Sequence, residues 1–107
     1  MNLPKVITEL VKTQNSFDSV AYTNCFSETT VAFDEGKTHN GRKEIEQWIA
    51  DANNRYQSIM EPVSFEENGT ESILKAEVSG NFPGSPLILS YHLQIADELI
   101  QSLKITG

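Results

Sequence analysis

Hydrophobic residues in the first half of the chain recur at the three- and four-residue spacing of amphipathic helices. One such stripe follows Pro4, which suits the first turn of a helix, and it predicts helix one to about Gln14. Ser16 is the predicted cap of a second helix. The apolar side of helix two would consist of Phe17, Val20, Ala21 and Cys25. A third helix would open at Gly41, with a core-facing stripe of Ile45, Trp48, Ile49, Ala52 and Tyr56.

The segment before helix three alternates with the two-residue period of a β-strand. Thr29–Glu35 is the predicted first strand. Its faces would carry Val31 and Phe33 on one side and Ala32 and Asp34 on the other. After a turn at Glu35 and Gly36, the chain returns through Lys37–Asn40 into helix three. This strand–helix junction brings one carboxylate and one imidazole close together, so it is the predicted site.

From Met60 onward the two-residue period continues to the end of the chain. Pro62–Glu66 is a predicted strand, and Asn68-Gly69 is a strong hairpin signal. The next two strands alternate through Leu74, Ala76, Val78, Gly80 and Phe82, and then through Leu87, Leu89, Tyr91, Leu93 and Ile95. With a last strand at Leu99–Ile105, these segments predict an antiparallel meander. We therefore expect an α+β fold in which three N-terminal helices cover a curved antiparallel sheet, leaving a cone with an open end.

Length, charge and cysteine content narrow the functional classes. The 107 residues suffice for one core, so residues 1–107 are predicted to be a single domain. The formal net charge of −7 argues against nucleic acid and anionic membranes as partners. One cysteine excludes an intrachain disulfide, and two histidines without suitable neighbours do not make a metal site, so neither metal nor cofactor is expected. Without an apolar leader or a run of roughly 18 apolar residues, a cytoplasmic location is expected.

The order of elements, together with several short segments, resembles a known family. These segments are Phe26–Val31 leading into Phe33-Asp34, Gly41–Ile45, Asn81–Leu87 and Tyr91–Ile100. They resemble the nuclear transport factor 2-like (NTF2-like) superfamily, especially its SnoaL-like branch, and the likeness covers nearly the whole chain. The resemblance implies a cone-shaped, cystatin-like fold. It implies no single reaction, because such proteins include ketosteroid isomerases, polyketide cyclases, dehydratases and pocketed proteins without known activity.

The resemblance also suggests a general base. In the ketosteroid isomerase branch an aspartate on the first strand takes the proton, and Asp34 is the acid that matches it if a one-residue gap is allowed. Without the gap, Phe33 takes that position. The isomerase oxyanion hole also needs a tyrosine in helix one and a protonated carboxyl on a late strand. Helix one has no tyrosine, and the late strand offers Ser90 or His92 instead, so a steroid isomerase is not expected.

Asp34 and His39 are the candidate catalytic residues, because a carboxylate–imidazole pair across the turn could orient a base. The alternative is a solvated strand-end aspartate beside an exposed loop histidine. Gln101 shares parity with Leu99, Leu103 and Ile105 and is predicted to point inward. There it could orient a ligand carbonyl, or it could simply hydrogen-bond Tyr22 or the backbone. The remaining ligand-binding candidates are aromatic residues that could line a pocket: Tyr22, Trp48, Tyr56 and Tyr91.

Three functions fit these residues. The favoured hypothesis is a small-molecule-binding domain with an apolar pocket for a small apolar or aromatic ligand. The alternatives are a cofactor-independent proton-transfer enzyme of the isomerase, cyclase or dehydratase type with Asp34 as base, and a protein-interaction module. An inward Asp34 with a raised pKa favours the enzyme, an apolar cavity with Asp34 outside favours the binding domain, and a cavity filled by Trp48 and Tyr56 favours the interaction module.

A homodimer through the sheet is also expected. The sheet face opposite the helices would carry Ile88, Ser90, His92, Gln94, Ile100 and Ser102. This mixture of apolar and neutral polar residues carries less charge than a freely solvated surface usually does. Members of the superfamily commonly pair through this surface, so the resemblance implies the same partner.

Overall fold

A computed structural model describes residues 1–107 and has the α+β architecture that the sequence predicts. The helices are α1 (Lys5–Asn15), α2 (Ser19–Thr23) and α3 (Gly41–Tyr56). The strands are β1 (Phe26–Asp34), β2 (Lys37–Asn40), β3 (Ile59–Asn68), β4 (Glu71–Ser79), β5 (Leu87–Ala96) and β6 (Leu99–Thr106). They form one sheet in the order β2-β1-β6-β5-β4-β3. None of the helices is long and apolar enough to cross a membrane.

The sheet is mixed, which corrects the expectation of a wholly antiparallel one. Strands β3 to β6 form the predicted antiparallel meander, but β1 lies parallel to β6. Ala32 pairs with Leu103 in this parallel contact, while Phe26 pairs with Ile100 after a register shift. At the shift, the buried Thr30 hydroxyl donates to the Ile100 carbonyl, and it lies 2.7 Å from the Ser27 hydroxyl. Alternation predicts that a strand forms but does not name its neighbour, so this pairing was not visible in the sequence.

The core lies between the helices and the inner face of the sheet. The stripes predicted for helices one and three are the ones that are buried, with Ile7, Leu10 and Ile45 fully inaccessible and Ile49 only 4% exposed. The sheet contributes the fully buried Phe26, Ala32, Leu74, Ala76, Leu93 and Ile100. Each large aliphatic side chain buried in this way contributes about 1.5–3 kcal/mol to the free energy of unfolding.

Helix two differs from the prediction. It begins at Ser19, and its cap is Asp18, whose carboxylate accepts from the Ala21 N–H at 3.0 Å. Phe17 adopts a left-handed conformation (φ 56°) in the reversal between the two helices, and its side chain is 45% exposed. Val20 is 57% exposed. The predicted apolar side therefore faces solvent in part, because α2 spans only the five residues Ser19–Thr23 and leaves Phe17 and Cys25 outside the helix. The buried Cys25 lies in the turn that follows α2.

Two β-bulges change which residues face the core. Pro62 pairs with Ala76 and Ser64 pairs with Lys75, so Val63 is an extra residue on β3. Likewise, Ile95 pairs with Ile100 and Gln94 pairs with Ser102, which makes Gln101 the extra residue on β6. A bulge shifts the side-chain alternation by one residue. Ile100 consequently lies in the core at 0% exposure, and its expected place on the outer sheet face is wrong.

Candidate functional site

A cavity of about 1120 Å³ lies between the helices and the inner sheet face. Twelve of its 25 lining residues are hydrophobic. Its mouth is formed by exposed residues of the β1–β2 turn and of the β4–β5 connection, together with the C-terminal residue. Six of the seven predicted site residues line it: Tyr22, Asp34, His39, Trp48, Tyr56 and Tyr91. A volume of this size accommodates a drug-sized molecule.

Asp34 ends β1 and occupies the inward position that the sequence left open between it and Phe33. It shares the inner side of the strand with Ala32. Phe33 also borders the cavity, but its ring is 37% exposed and packs under the Lys104 ammonium, 5.7 Å from the ring centre. Burial raises the pKa of the Asp34 carboxyl to about 6, and the nearby charge of Glu35 adds to this. The Glu35 backbone N–H and the Trp48 side chain stabilise the carboxylate and offset part of the shift.

Two tyrosines share this end of the cavity with Asp34. Tyr22 and Tyr91 are only 2% and 6% exposed. Burial is the main cause that raises the pKa of each phenol, and the charge of Asp34 raises it further. Both hydroxyls therefore stay protonated at neutral pH. Neither hydroxyl has a hydrogen-bond partner in the protein, whereas every fully buried polar side-chain atom has one. Each hydroxyl therefore opens onto the cavity, where it can donate to a bound molecule.

His39 lies on the same cavity wall but does not form the predicted pair with Asp34. It stands opposite Ala32 in the β1–β2 hairpin, and its ring stacks on Trp48 with 5.2 Å between ring centres and 21° between planes. No hydrogen bond joins His39 to Asp34. Partial burial lowers the pKa of His39, Lys37 lowers it further and Glu44 opposes them, so the ring is neutral at pH 7. Its contact with Trp48 makes it part of the wall that holds the indole against Asp34.

The start of α3 fixes the position of Trp48 and His39. Gly41 has a positive φ of 78°, and a Cβ at this residue would lie 3.4 Å from the Glu28 carbonyl oxygen. Arg42 Nε donates to the Phe26 carbonyl at 2.8 Å, and Glu44 accepts from the Asn40 N–H at 2.8 Å. These contacts tie the first turn of the helix to β1 and β2. The strand–helix junction that the sequence predicted as the site is therefore a rigid part of the cavity.

Tyr56 lies near the opposite end of α3, where its ring meets the Phe82 ring edge-on at 6.1 Å. Both rings line the cavity. Gln101 does not, and the expectation that it points inward is wrong. It is the extra residue of the β6 bulge, and its Nε2 donates to the Ala96 carbonyl at 2.9 Å, which holds the β5–β6 turn. Parity along a strand could not place it correctly, because the bulge interrupts that parity.

The sequence prediction missed two buried polar residues of the cavity. Gln14 and Asn53 both line the cavity and are 8% and 9% exposed. Their side chains are joined by a 3.1 Å hydrogen bond. A signal was present, since Gln14 continues the buried stripe of Ile7 and Leu10 on α1, and Asn53 continues that of Ile45 and Ile49 on α3. A polar residue on an apolar helical stripe needs a buried partner or a ligand.

The structure brings no three His, Cys, Asp or Glu side chains close enough together to hold a metal ion. The side chains that line the cavity offer one carboxyl with a raised pKa, two phenol donors and an amide pair, among 12 hydrophobic residues of the 25 that form the wall.

An α+β fold whose mixed, curved sheet and three helices enclose a cavity of this kind defines the NTF2-like class. Comparison with solved structures agrees. A protein of Sinorhizobium meliloti, provisionally named a polyketide cyclase, shares 32% of its residues with this chain, over 97% of this chain and 95% of that one, with a TM-score of 0.92. The chain belongs to the NTF2-like superfamily.

More distant structures show the same fold. A Catenulispora acidiphila protein with a ketosteroid isomerase-like fold, crystallised with trimethylamine, is 18% identical with a TM-score of 0.87, over 99% of this chain and 87% of that one. An NTF2-like protein of unknown function from Cytophaga hutchinsonii is 14% identical with a TM-score of 0.78, over 94% of this chain and 85% of that one. No family sequence model matches the chain. No curated protein matches it either.

Proposed function

We propose that the cavity binds a small, largely apolar carbonyl compound and that Asp34 transfers a proton on it. The observation that supports this most is that the Asp34 carboxyl and the hydroxyls of Tyr22 and Tyr91 share one end of an apolar-walled cavity. An inward Asp34 with a raised pKa is the arrangement that distinguishes the enzyme hypothesis from a purely binding domain. The interaction module has less support, because Trp48 and Tyr56 line the cavity without filling it.

In the proposed reaction, the Asp34 carboxylate takes a proton from the carbon next to the ligand carbonyl. The electron pair of that C–H bond moves into the new C=C bond, and the carbonyl oxygen gains negative charge. Tyr22 and Tyr91 donate hydrogen bonds to this oxygen and stabilise the enolate. Return of the proton to the same carbon gives only hydrogen exchange. In a β,γ-unsaturated ketone, Asp34 instead protonates the far carbon of the dienolate, which is an isomerisation. In a compound with a second carbonyl, the enolate carbon attacks that carbonyl and Asp34 protonates the oxygen formed there, which is a cyclisation. A base whose pKa is about 6 suits this role at neutral pH.

The relative from Sinorhizobium meliloti supports the reaction class, because polyketide cyclisation begins with deprotonation next to a carbonyl. The cavity wall supports the ligand class. Hydrophobic side chains such as Ile49, Val78 and Leu89 line it. Flat aromatic rings stand at Trp48, in the middle of α3, and at Tyr56, its last residue. An apolar wall also keeps water from the carboxylate and so strengthens its interaction with a bound carbonyl compound.

Hydrogen–deuterium exchange tests the proposal. 2-Tetralone, a flat bicyclic ketone, exchanges its hydrogens next to the carbonyl only through an enol or enolate, and proton NMR in D₂O follows the loss of signal. We expect the protein to accelerate exchange, with a rate that rises with pH through about 6 as Asp34 ionises. Asp34→Asn should reduce the acceleration by about a hundredfold, since a positioned base contributes 10²–10⁴.

The control is Glu46→Gln, because Glu46 is an exposed carboxylate on the outer side of α3. It should leave the exchange rate unchanged. A second function, ligand binding without chemistry, predicts a different pattern: 2-tetralone quenches the fluorescence of Trp48, the only tryptophan, but does not exchange faster than in buffer. That pattern would remove the enzyme proposal and retain the binding domain.

Three further proposals concern the whole chain. We propose that residues 1–107 act as one domain, that the protein is cytoplasmic, and that it pairs with a second copy through the outer sheet face. The single unpaired cysteine supports a reducing compartment. On the outer face, Val31, Phe33 and Ile88 are 41%, 37% and 49% exposed, beside the neutral side chains of Ser90, Gln94 and Ser102. Such a surface is typical of protein interfaces.

A further inference from the structure

The cavity contains a second polar group away from Asp34. Gln14 at the end of α1 and Asn53 in the last turns of α3 are both more than nine-tenths buried, and both line the cavity. Gln14 Nε2 donates to Asn53 Oδ1 at 3.1 Å and to the Ser58 carbonyl at 2.8 Å. These bonds join α1, α3 and the start of β3, so the two amides are held rigidly.

The bonds also determine which amide atoms remain free. A backbone carbonyl only accepts, so the Gln14 atom that faces Ser58 is the amide nitrogen. That nitrogen donates in turn, so the Asn53 atom that faces it is the oxygen. Gln14 Oε1, an acceptor, and Asn53 Nδ2, a donor, are left without a partner in the protein. Because every fully buried polar side-chain atom has a partner, these two atoms are accessible, and the cavity is the space that both residues line.

The amide pair is separated from Trp48, which stands beside Asp34, by part of the α3 wall. Asn53 follows Trp48 by five residues on α3, which corresponds to about 7.5 Å along the helix axis. Ile49 and Ala52 line the cavity between them, together with the exposed Asp51. A ligand that places its carbonyl beside Asp34 and extends along this wall by the length of a bicyclic ring system therefore brings its far end to Gln14 and Asn53.

We propose that Gln14 and Asn53 form a second subsite that binds a neutral group able both to donate and to accept a hydrogen bond, of which a hydroxyl is the simplest. This inference rests on the proposed function, since it names the far end of the same ligand. The free atoms explain the preference for a neutral group. An anion would face the Gln14 oxygen, and a cation would face the Asn53 N–H, whereas a hydroxyl satisfies both.

Isothermal titration calorimetry with two matched ketones tests the subsite. 6-Hydroxy-2-tetralone carries a hydroxyl at the opposite end of the ring system from the carbonyl, and 2-tetralone lacks it. We expect the wild-type protein to bind the hydroxylated ketone about tenfold more tightly, as two net hydrogen bonds allow. 6-Methoxy-2-tetralone, which accepts but cannot donate, should lose most of this preference.

Variants assign the preference to the two amides. In Gln14→Met and in Asn53→Leu the hydroxylated and parent ketones should bind with equal affinity. Asn54→Leu is the control, because Asn54 is the exposed neighbour on the same helix, and it should retain the tenfold preference.

The outcomes separate this inference from the proposed function. Equal binding of both ketones by the wild-type protein would overturn the subsite even if 2-tetralone exchanges its hydrogens rapidly. Retention of the preference in folded Gln14→Met and Asn53→Leu would also overturn it. Absence of binding by either ketone would overturn both the subsite and the proposed function. The wild-type comparison decides the matter even if a variant fails to fold.

Discussion

At the scale of single residues, Asp34 shows how a cavity changes the chemistry of an ordinary side chain. The strand places its carboxyl beside two phenols and an indole rather than in water, and burial raises its pKa from 3.8 to about 6. The same burial makes the ionised form costly for the folded state. The ionised Asp34 carboxylate is therefore expected to lower the free energy of unfolding at neutral pH.

Asp34→Asn should therefore stabilise the protein in a pH-dependent manner. Because the folded state binds the Asp34 proton more tightly than the unfolded state does, wild-type stability falls as pH rises from 3.8 to about 6, whereas asparagine stays neutral. Two pKa units correspond to about 3 kcal/mol, which partial exposure reduces to about 1 kcal/mol. Urea unfolding should show the variant more stable than wild type by about this amount at about pH 8, and equal to it below about pH 4.

Glu46→Gln again serves as the control and should show no such pH-dependent difference. A variant Asp34→Asn that is less stable than wild type at about pH 8 would contradict the assignment, because it would mean that the charged carboxylate stabilises the folded state.

At the scale of elements, the parallel contact of β1 with β6 joins the helical half of the chain to the meander. Its register shifts between Phe26 and Val31, and a shifted ladder leaves backbone groups that need other partners. Thr30 supplies one, through the hydroxyl that donates to the Ile100 carbonyl. The Cys25 carbonyl supplies another, accepting from the Ile100 N–H at 2.9 Å. This contact closes the cavity wall behind Asp34.

Replacement of Thr30 by valine should weaken this contact, because the side chain keeps its shape but leaves a buried carbonyl without its donor. We expect a loss of about 1–3 kcal/mol in the free energy of unfolding, measured by chemical denaturation. Thr29→Val is the matched control on the same strand, where the threonine is exposed, and its effect should stay within about 0.5 kcal/mol. Equal effects of the two substitutions would show that the buried hydroxyl contributes nothing specific.

At the scale of the whole molecule, the outer sheet face and the cavity are on opposite sides of the sheet. The helices cover the inner face, and the outer face exposes apolar and neutral polar residues together with a few charged ones, Lys75, Glu77 and Lys104. Pairing through the outer face would leave the cavity mouth free. The proposed dimer is therefore compatible with the proposed site.

Light scattering should give a mass twice the 11.9 kDa of the chain at tens of micromolar concentration. Ile88→Lys should produce the monomer, because it places a charge in the pairing surface. The folded chain should tolerate the substitution, because the new lysine would face Glu77, the residue paired with position 88 on β4. Val20→Lys, at an exposed apolar residue on α2, should remain a dimer. A monomeric wild-type protein would rule out the dimer, and dissociation by Val20→Lys would move the interface to the helices.

The sequence by itself determined the features that depend on near neighbours in the chain. The stripes of helices one and three, the hairpin at Asn68-Gly69 and the inward set Leu74, Ala76 and Val78 all follow from local periodicity, and the structure has them. Because one face of each helix or strand must be buried, the spacing of its hydrophobic residues is enough to show which face lies in the core. The α+β class followed from the order of these elements, and the superfamily followed from the resemblance that this order and several short segments bear to a known family.

Only the tertiary structure decided how distant segments meet. The parallel pairing of β1 with β6 joins residues far apart in the chain. The bulges at Val63 and Gln101 and the stacking of His39 on Trp48 join nearer residues, but they depend on how neighbouring elements pair and pack, which periodicity does not encode. The alternation of apolar and polar residues does not show where a bulge will interrupt it, so Gln101 was assigned to the wrong face. Gln14 and Asn53 are 39 residues apart and acquire their meaning as a pair only when α1 and α3 pack together. The cavity and its chemistry arise from such long-range contacts, which local patterns cannot specify.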